Sequence, residues 1–448
     1  MTTWVFDSAT AAAIVMGLLA AVPVLAIGFV AGMRNPVWLL ALYAAVVPFG
    51  SSLRIPGAGP FGSLSTLIGL LAVGAFLARL TSRPAGRVRP GSTPALAVLL
   101  VGVAAATIMW SIDPSRTLQQ VAILASLVGL YIVVAVTPVS PDDVRRFESG
   151  VVAGGIAVGG YAVYLAATGA LVDAEDQRFV AAVGGSETGD VADPNITAAS
   201  LALPIIVALD RAMQPGPVAR RLGYLFIAVT LLLGILLTGS RGGMLGVLAA
   251  IVLLLLVRRP RTGAVWAALL VPATAFLIAT ALAPQYVIER LTTDTRSSGR
   301  TDIWIAGLRA CSEHCGVGSG WGTFPLAHRE VLLEQPDTRA DRLLVESHNL
   351  WIGTVVEGGL IALILLILIL WFAARDLSRL DRVRRAPPLA ALVGLMVTSV
   401  FLQSLGFKFF WLVMIYGVLM MNAFARPVAL SGAPPLERLA EPARQGLP

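Results

Sequence analysis

Four polar stretches stand out in an apolar chain, and their residue types suggest proton transfer beside bound anions. Residues 347–360 read SHNLWIGTVVEGGL, placing His348 and Asn349 at the mouth of an apolar run toward Phe372. An imidazole titrates near neutrality, so at a water boundary His348 can take a proton from a hydroxyl. TGSRGGMLG at 238–246 sets Arg241 among Gly239, Gly242, Gly243 and Gly246. These glycines permit a tight turn and close backbone approach. The helix that follows turns free N–H groups and its positive end toward the turn, and a guanidinium fork matches phosphate oxygens. In 295–324, Arg300 opens an amphipathic helix over 300–312 striped by Ile303, Trp304, Gly307, Leu308 and Cys311. GVGSGWG then reads as a flexible glycine-rich turn, and no G-K-[ST] follows that would make it a P-loop. In DPNITAA at 193–199, Asp193 or Asn195 suits a helix cap, with Pro194 in the first turn. Each stretch also has a structural reading: a cap, a snorkelling arginine in a glycine turn, or an interfacial histidine that merely packs.

Two further features have local explanations. On a straight helix residues nine apart face opposite ways, so Glu357 points away from His348 and lies roughly 13 Å deeper. It is expected to pair inside the bundle, as intramembrane acids generally do. Cys311 and Cys315 are the two cysteines of the chain. A disulfide fits an oxidising compartment, while a metal shared with His314 lacks a fourth ligand.

The elements that position these residues follow from composition. The 448 residues are 57% hydrophobic and 13% charged, with mean hydropathy +0.81. Soluble domains carry about a quarter charged residues, so the chain reads as an all-α polytopic membrane protein. About thirteen runs approach the length of a span, near 10–31, 36–53, 61–80, 94–112, 118–137, 150–169, 196–212, 222–238, 242–257, 263–282, 349–372, 388–405 and 408–425. The sequence begins without a basic region, so the first run is expected to be a retained span. Arginines fill every second connection, which puts those connections in the cytoplasm, the N-terminus outside and the tail 427–448 inside. A membrane domain over 1–426 then carries a long outer loop, 284–347, with short helices, and a disordered tail. The net charge of +7 lies in short loops, where membrane insertion explains it and nucleic acid is not implied.

This topology brings Asn195, Arg241, Arg300 and His348 to one membrane face. Two arginines and one base at a lipid–water boundary suggest a membrane-held phosphorylated lipid and a hydroxyl to be activated. The order DPN, SRGG, GRTDIW with GVGSGWG, then HNLWIGTVVEGG resembles the O-antigen ligase and polysaccharide polymerase family of bacterial membrane glycosyltransferases, over about 190–410. The resemblance implies a polytopic GT-C-like fold in the cytoplasmic membrane with its site facing the periplasm or exterior. It implies transfer of a glycan from undecaprenyl diphosphate to an acceptor glycan or lipid, without a metal, other cofactor or nucleotide sugar. It assigns His348 as base and Arg241 and Arg300 to the diphosphate. Arg290 and Arg296 lie near Arg300, and Arg296, Asn195 and Asn349 join the expected binding set. A secondary transporter is the alternative, with Glu357 as its ionisable group. A non-catalytic scaffold of envelope assembly is a third reading.

Overall fold

The computed structural model describes residues 32, 35–49, 63–82, 91–169, 193–283, 300–333 and 345–425. The expected span at 10–31, Arg290, Arg296 and the tail 427–448 lie outside them. Fourteen α-helices are described, and no strand occurs among these residues. They are α1 (Val37–Val46), α2 (Leu64–Ser82), α3 (Ser92–Ala106), α4 (Pro114–Ala135), α5 (Pro141–Ala167), α6 (Pro194–Met213) and α7 (Val218–Thr238). Then follow α8 (Arg241–Arg258), α9 (Thr262–Leu282), α10 (Arg300–His314), α11 (Phe324–Leu333), α12 (Leu350–Leu377), α13 (Arg382–Ser399) and α14 (Lys408–Phe424). Among the described residues, nine helices, α2–α9 and α12, are long and apolar enough to cross a membrane. The chain is an integral membrane protein; these nine coincide with the expected spans from 61–80 to 349–372, whereas those expected at 36–53, 388–405 and 408–425 meet helices too short or too polar to count among them.

Helix starts are written locally. Asp113, Ser140 and Asp193 cap α4, α5 and α6, each with proline next in sequence. Ser140 and Asp143 complete a capping box. Ser240 and Asn349 cap α8 and α12. Within the bundle α8 lies along α13, α6 along α7, α1 along α5, and α12 against α3. The α8–α13 crossing needs small residues, since a Cβ on Gly394 would stand 2.8 Å from Gly246 O.

One end of the bundle collects the arginines. Arg258 pairs with Asp210, and Arg211 with Glu148, which also accepts from Tyr416 Oη at 2.8 Å. Arg382 Nε donates to Val257 O at 2.7 Å. The polar stretches singled out above lie at the opposite end.

Two expectations change. His348 does not stand on the helix that follows it. Its φ is +45°, left-handed, and the helix starts only after the Asn349 cap. Nor is α12 straight, because Gly359 takes φ +73°, ψ −178° inside it. The bearing and depth calculated for Glu357 on a straight helix therefore do not apply.

The break frees backbone groups deep in the bundle, and the stretch GVGSGWG fills it. Ser319 N–H donates to Val356 O at 2.8 Å and Gly320 N–H to Glu357 O at 3.1 Å. In return Leu360 N–H donates to Cys315 O at 2.9 Å. The other side of the loop is held by the connection between α3 and α4. Trp110 Nε1 donates to Gly318 O at 3.0 Å, Ile112 N to Ser319 O at 2.9 Å, and Arg116 Nε to Gly322 O at 2.6 Å. Trp321 N donates to Thr107 Oγ1 at 3.0 Å. The expected flexible turn is thus a wedge bonded on both sides. Positive φ at Gly318, Gly320 and Gly322 lets its backbone present donors to one neighbour and acceptors to the other.

An alanine at 359 would have to occupy backbone space open to glycine alone, at a cost of about 1–3 kcal/mol. Gly359→Ala is expected to lower the thermal unfolding midpoint of the detergent-solubilised protein. An unchanged midpoint would show that the break is not required.

Candidate active site

Three elements close around the turn between α7 and α8. Gly239, at φ +62°, ends α7. Ser240 Oγ accepts from Gly243 N at 3.1 Å and donates to Asn195 Oδ1 at 2.7 Å. Asp193 Oδ1 accepts from Asn195 N and Nδ2, both at 2.7 Å. The starts of α6 and α8 are therefore bonded to each other. Gly243 lies against Ala198, and a Cβ on Gly242 would stand 2.8 Å from Phe401. Phe401 comes from the turn after α13, which ends at Ser399; the span expected to reach 405 stops short, and residues 400–407 instead form part of the site wall.

Phe401 also supports the third element. The Arg300 guanidinium lies over its ring, 5.9 Å from the centroid, and the Trp304 ring is 6.3 Å away. α10 rests on α12 and α11, where Gly307 permits close approach to Ile352 and Phe324. Cys311 and Cys315 form a disulfide near the end of α10, which uses both sulfurs that a metal site with His314 would have needed. Trp304 Nε1 is buried with no acceptor among the described residues. Such a donor costs about 1–3 kcal/mol unless something accepts from it.

His348 and the arginines act on one another electrostatically. Burial lowers the pKa of His348; Asp193 works against this, and Arg300 adds to it. Burial likewise lowers that of Arg300, with Asp193 opposing and Arg241 reinforcing. Arg241, Arg300, His348 and Asp193 thus lie within electrostatic reach. Two guanidiniums face one nearby carboxylate, beside the starts of α6, α8, α10 and α12. That surplus of positive charge and the positive ends of these helices suit a doubly charged anion. A half-buried imidazole beside it can accept a proton.

The remaining expected residues have internal roles here. Asn349 Oδ1 accepts from Trp351 N at 2.9 Å and Ile352 N at 3.0 Å, and its Nδ2 donates to Val400 O at 3.1 Å. Asn195 bridges Asp193 and Ser240. Both amides build the frame. Glu357 is paired within the bundle as expected, accepting from Gln403 Nε2 at 2.9 Å and Phe324 N at 3.2 Å. The carbonyls freed by the break are occupied by the wedge, so they offer no ready ion site of the kind a transporter uses.

Sequence reasoning gave Asp193 only a capping role, and it missed Phe401, Gln403 and the 107–116 clamp. Removing the Asp193 charge disfavours a nearby imidazolium, so Asp193→Asn is expected to lower the His348 pKa further. An imidazole NMR titration reads this directly; an unchanged or raised value would refute the coupling.

Comparisons with known proteins point to one family. The family described as O-Antigen ligase matches residues 226–367. An O-antigen ligase from Pseudomonas aeruginosa is 30% identical over 154 residues, 34% of this chain and 34% of that protein. The chain thus covers about a third of the length of that relative. The segment that matches the O-Antigen ligase family model, residues 226–367, carries Arg241, Arg300 and His348.

Proposed function

We propose that the chain transfers a glycan from an undecaprenyl-diphosphate carrier to the hydroxyl of an acceptor glycan or lipid, as ligase or polymerase. The observation that carries this reading is the meeting of His348 with Arg241, Arg300 and Asp193 beside four helix starts, in a chain whose residues 226–367 match the O-Antigen ligase family model. Arg241 and Arg300 hold the diphosphate and stabilise the charge that grows on it as the sugar–phosphate bond breaks. His348 takes the hydroxyl proton while the acceptor oxygen attacks the anomeric carbon from the opposite side, inverting it. Asp193 stabilises the imidazolium that results. Trp304 Nε1–H supplies a further donor to a ligand oxygen. Exposed Ile305 and Leu308 on α10 suit contact with membrane lipid and the carrier's tail. The arginine-rich end lies in the cytoplasm by the positive-inside rule, so the site opens on the outer face of the bacterial cytoplasmic membrane.

The test is transfer by purified protein supplied with a lipid-diphosphate glycan and an acceptor. His348→Ala should cut the rate at least about 100-fold while the protein stays folded. Arg241→Ala and Arg300→Ala should each cost on the order of 100-fold. Full activity in His348→Ala would sink the base assignment.

The pH profile gives an independent check. A base works in its neutral form, and burial lowers the pKa of His348 below its ordinary 6.5. The profile of kcat/KM, which reports the free enzyme, should therefore hold through neutrality and fall on an acid limb with its midpoint below about 6.5. A midpoint above that value would contradict the assignment.

A further inference from the structure

The left-handed turn at His348 is held from below by a chain of side chains. Ser347 Oγ is 2.9 Å from Asn349 O and 3.3 Å from Asn349 N, bridging the two sides of His348. The same oxygen donates to Gln403 Oε1 at 2.8 Å. Gln403 Nε2 donates in turn to Glu357 Oε2, and Glu357 Oε1 takes Phe324 N–H. Ser347 is 0% exposed and Glu357 1%. Gly353 leaves the room these groups occupy: a Cβ there would stand 2.6 Å from Ser347 Oγ and 2.8 Å from Gln403 Cδ.

We propose that Glu357, acting through Gln403 and Ser347, is the strut that positions His348. The inference rests on the reading of His348 as base. The strut touches no substrate, so its members are positioning residues. A left-handed φ is uncommon for a residue with a side chain and persists where its surroundings enforce it. Here the strut does so from the buried side, and the Asn349–Val400 hydrogen bond from the other. It joins the base to the same stretch of α12 that receives the glycine wedge, since Glu357 O takes Gly320 N–H while its side chain takes Gln403.

The chemistry of the strut predicts an unusual pattern of variants. Gln403→Leu and Glu357→Ala each cut it. Glu357→Gln does not: the Gln403 amide can turn over, so that residue 357 donates to Gln403 Oε1 and Gln403 Nε2 donates to Ser347 Oγ. Transfer is to be measured with the full-length protein in nanodiscs, alongside wild type and His348→Ala. Gln403→Leu should lower kcat on the order of 100-fold with KM nearly unchanged. Glu357→Gln should stay within a few-fold of wild type. The double variant Glu357→Ala/Gln403→Leu should be no worse than either single one, because both cut the same strut. If a bulky change unfolds the protein, Ser347→Ala removes the last link with one atom and should give the same kcat loss.

Reaction of the histidines with diethylpyrocarbonate, read by mass spectrometry, reports geometry without turnover. Gln403→Leu should change the rate at His348 several-fold and leave His314 and His328 unchanged. An unchanged kcat and unchanged His348 reactivity in both Gln403→Leu and Ser347→Ala would overturn the strut. So would equal losses in Glu357→Gln and Glu357→Ala. Failure of the wild type to transfer glycan would instead count against the proposed function, and the His348 labelling rates would still decide the strut.

Discussion

Backbone polar groups freed inside an apolar bundle must find partners within the protein. The break of α12 at Gly359 creates that demand, and the placement of the site follows from how it is met. Val356 O and Glu357 O need donors, and Ser319 and Gly320 supply them. Bringing the wedge there fixes the end of α10, through Cys315 O and the disulfide, and the start of α11, through Phe324 N and Glu357. With the joint of the short-helix layer fixed, α10 lies over α12 and Arg300 comes to rest on Phe401. A straight α12 would offer this layer no such backbone anchor.

Charge is arranged around that frame with a deliberate imbalance. At the arginine-rich end the buried guanidinium of Arg258 meets the carboxylate of Asp210, and Arg211 meets Glu148. At the other end Asp193 acts on Arg300 and His348, and Arg241 acts on Arg300. The first arrangement is closed and suits stability, because buried charges without partners are costly. The second carries more positive than negative groups, as the proposed binding of an anionic substrate requires. Arg258, Asp210 and Glu148 of the closed pairs are buried, whereas Arg241 is exposed and Arg300 and His348 are half-buried.

The sequence carried the helices well, because apolar runs, Asp-Pro and Ser-Pro starts and arginine-bearing ends are local signals. It carried the site residues in part. Arg241 was legible because glycine–arginine turns have a physical use, and Arg300 because it opens an amphipathic stripe. What stayed hidden depends on tertiary contact. Phe401 and Gln403 sit in an apolar stretch that reads as the end of a span. Trp110 and Arg116 lie some two hundred residues from the loop they grip. The conformation of His348 could not be inferred because left-handed φ at a non-glycine residue has no local code; it is imposed by Ser347 and Asn349 once the bundle closes. Gly359 was visible as a glycine, but nothing local marked it as the break rather than Gly353 or Gly358.

The segment 226–367 that matches the family model holds the side chains proposed to react, yet Asp193, Trp110, Arg116, Phe401 and Gln403 all lie outside it. It is therefore not a cassette. A mosaic chain that grafted this segment onto the flanking helices of a distant relative would keep the arginines and the histidine, but lose the grip on its glycine wedge and the floor beneath its base. Changes on the two sides of these contacts must be inherited together. Recombination breakpoints at 226 or 367 should be poorly tolerated, and both positions fall inside helices, α7 and α12.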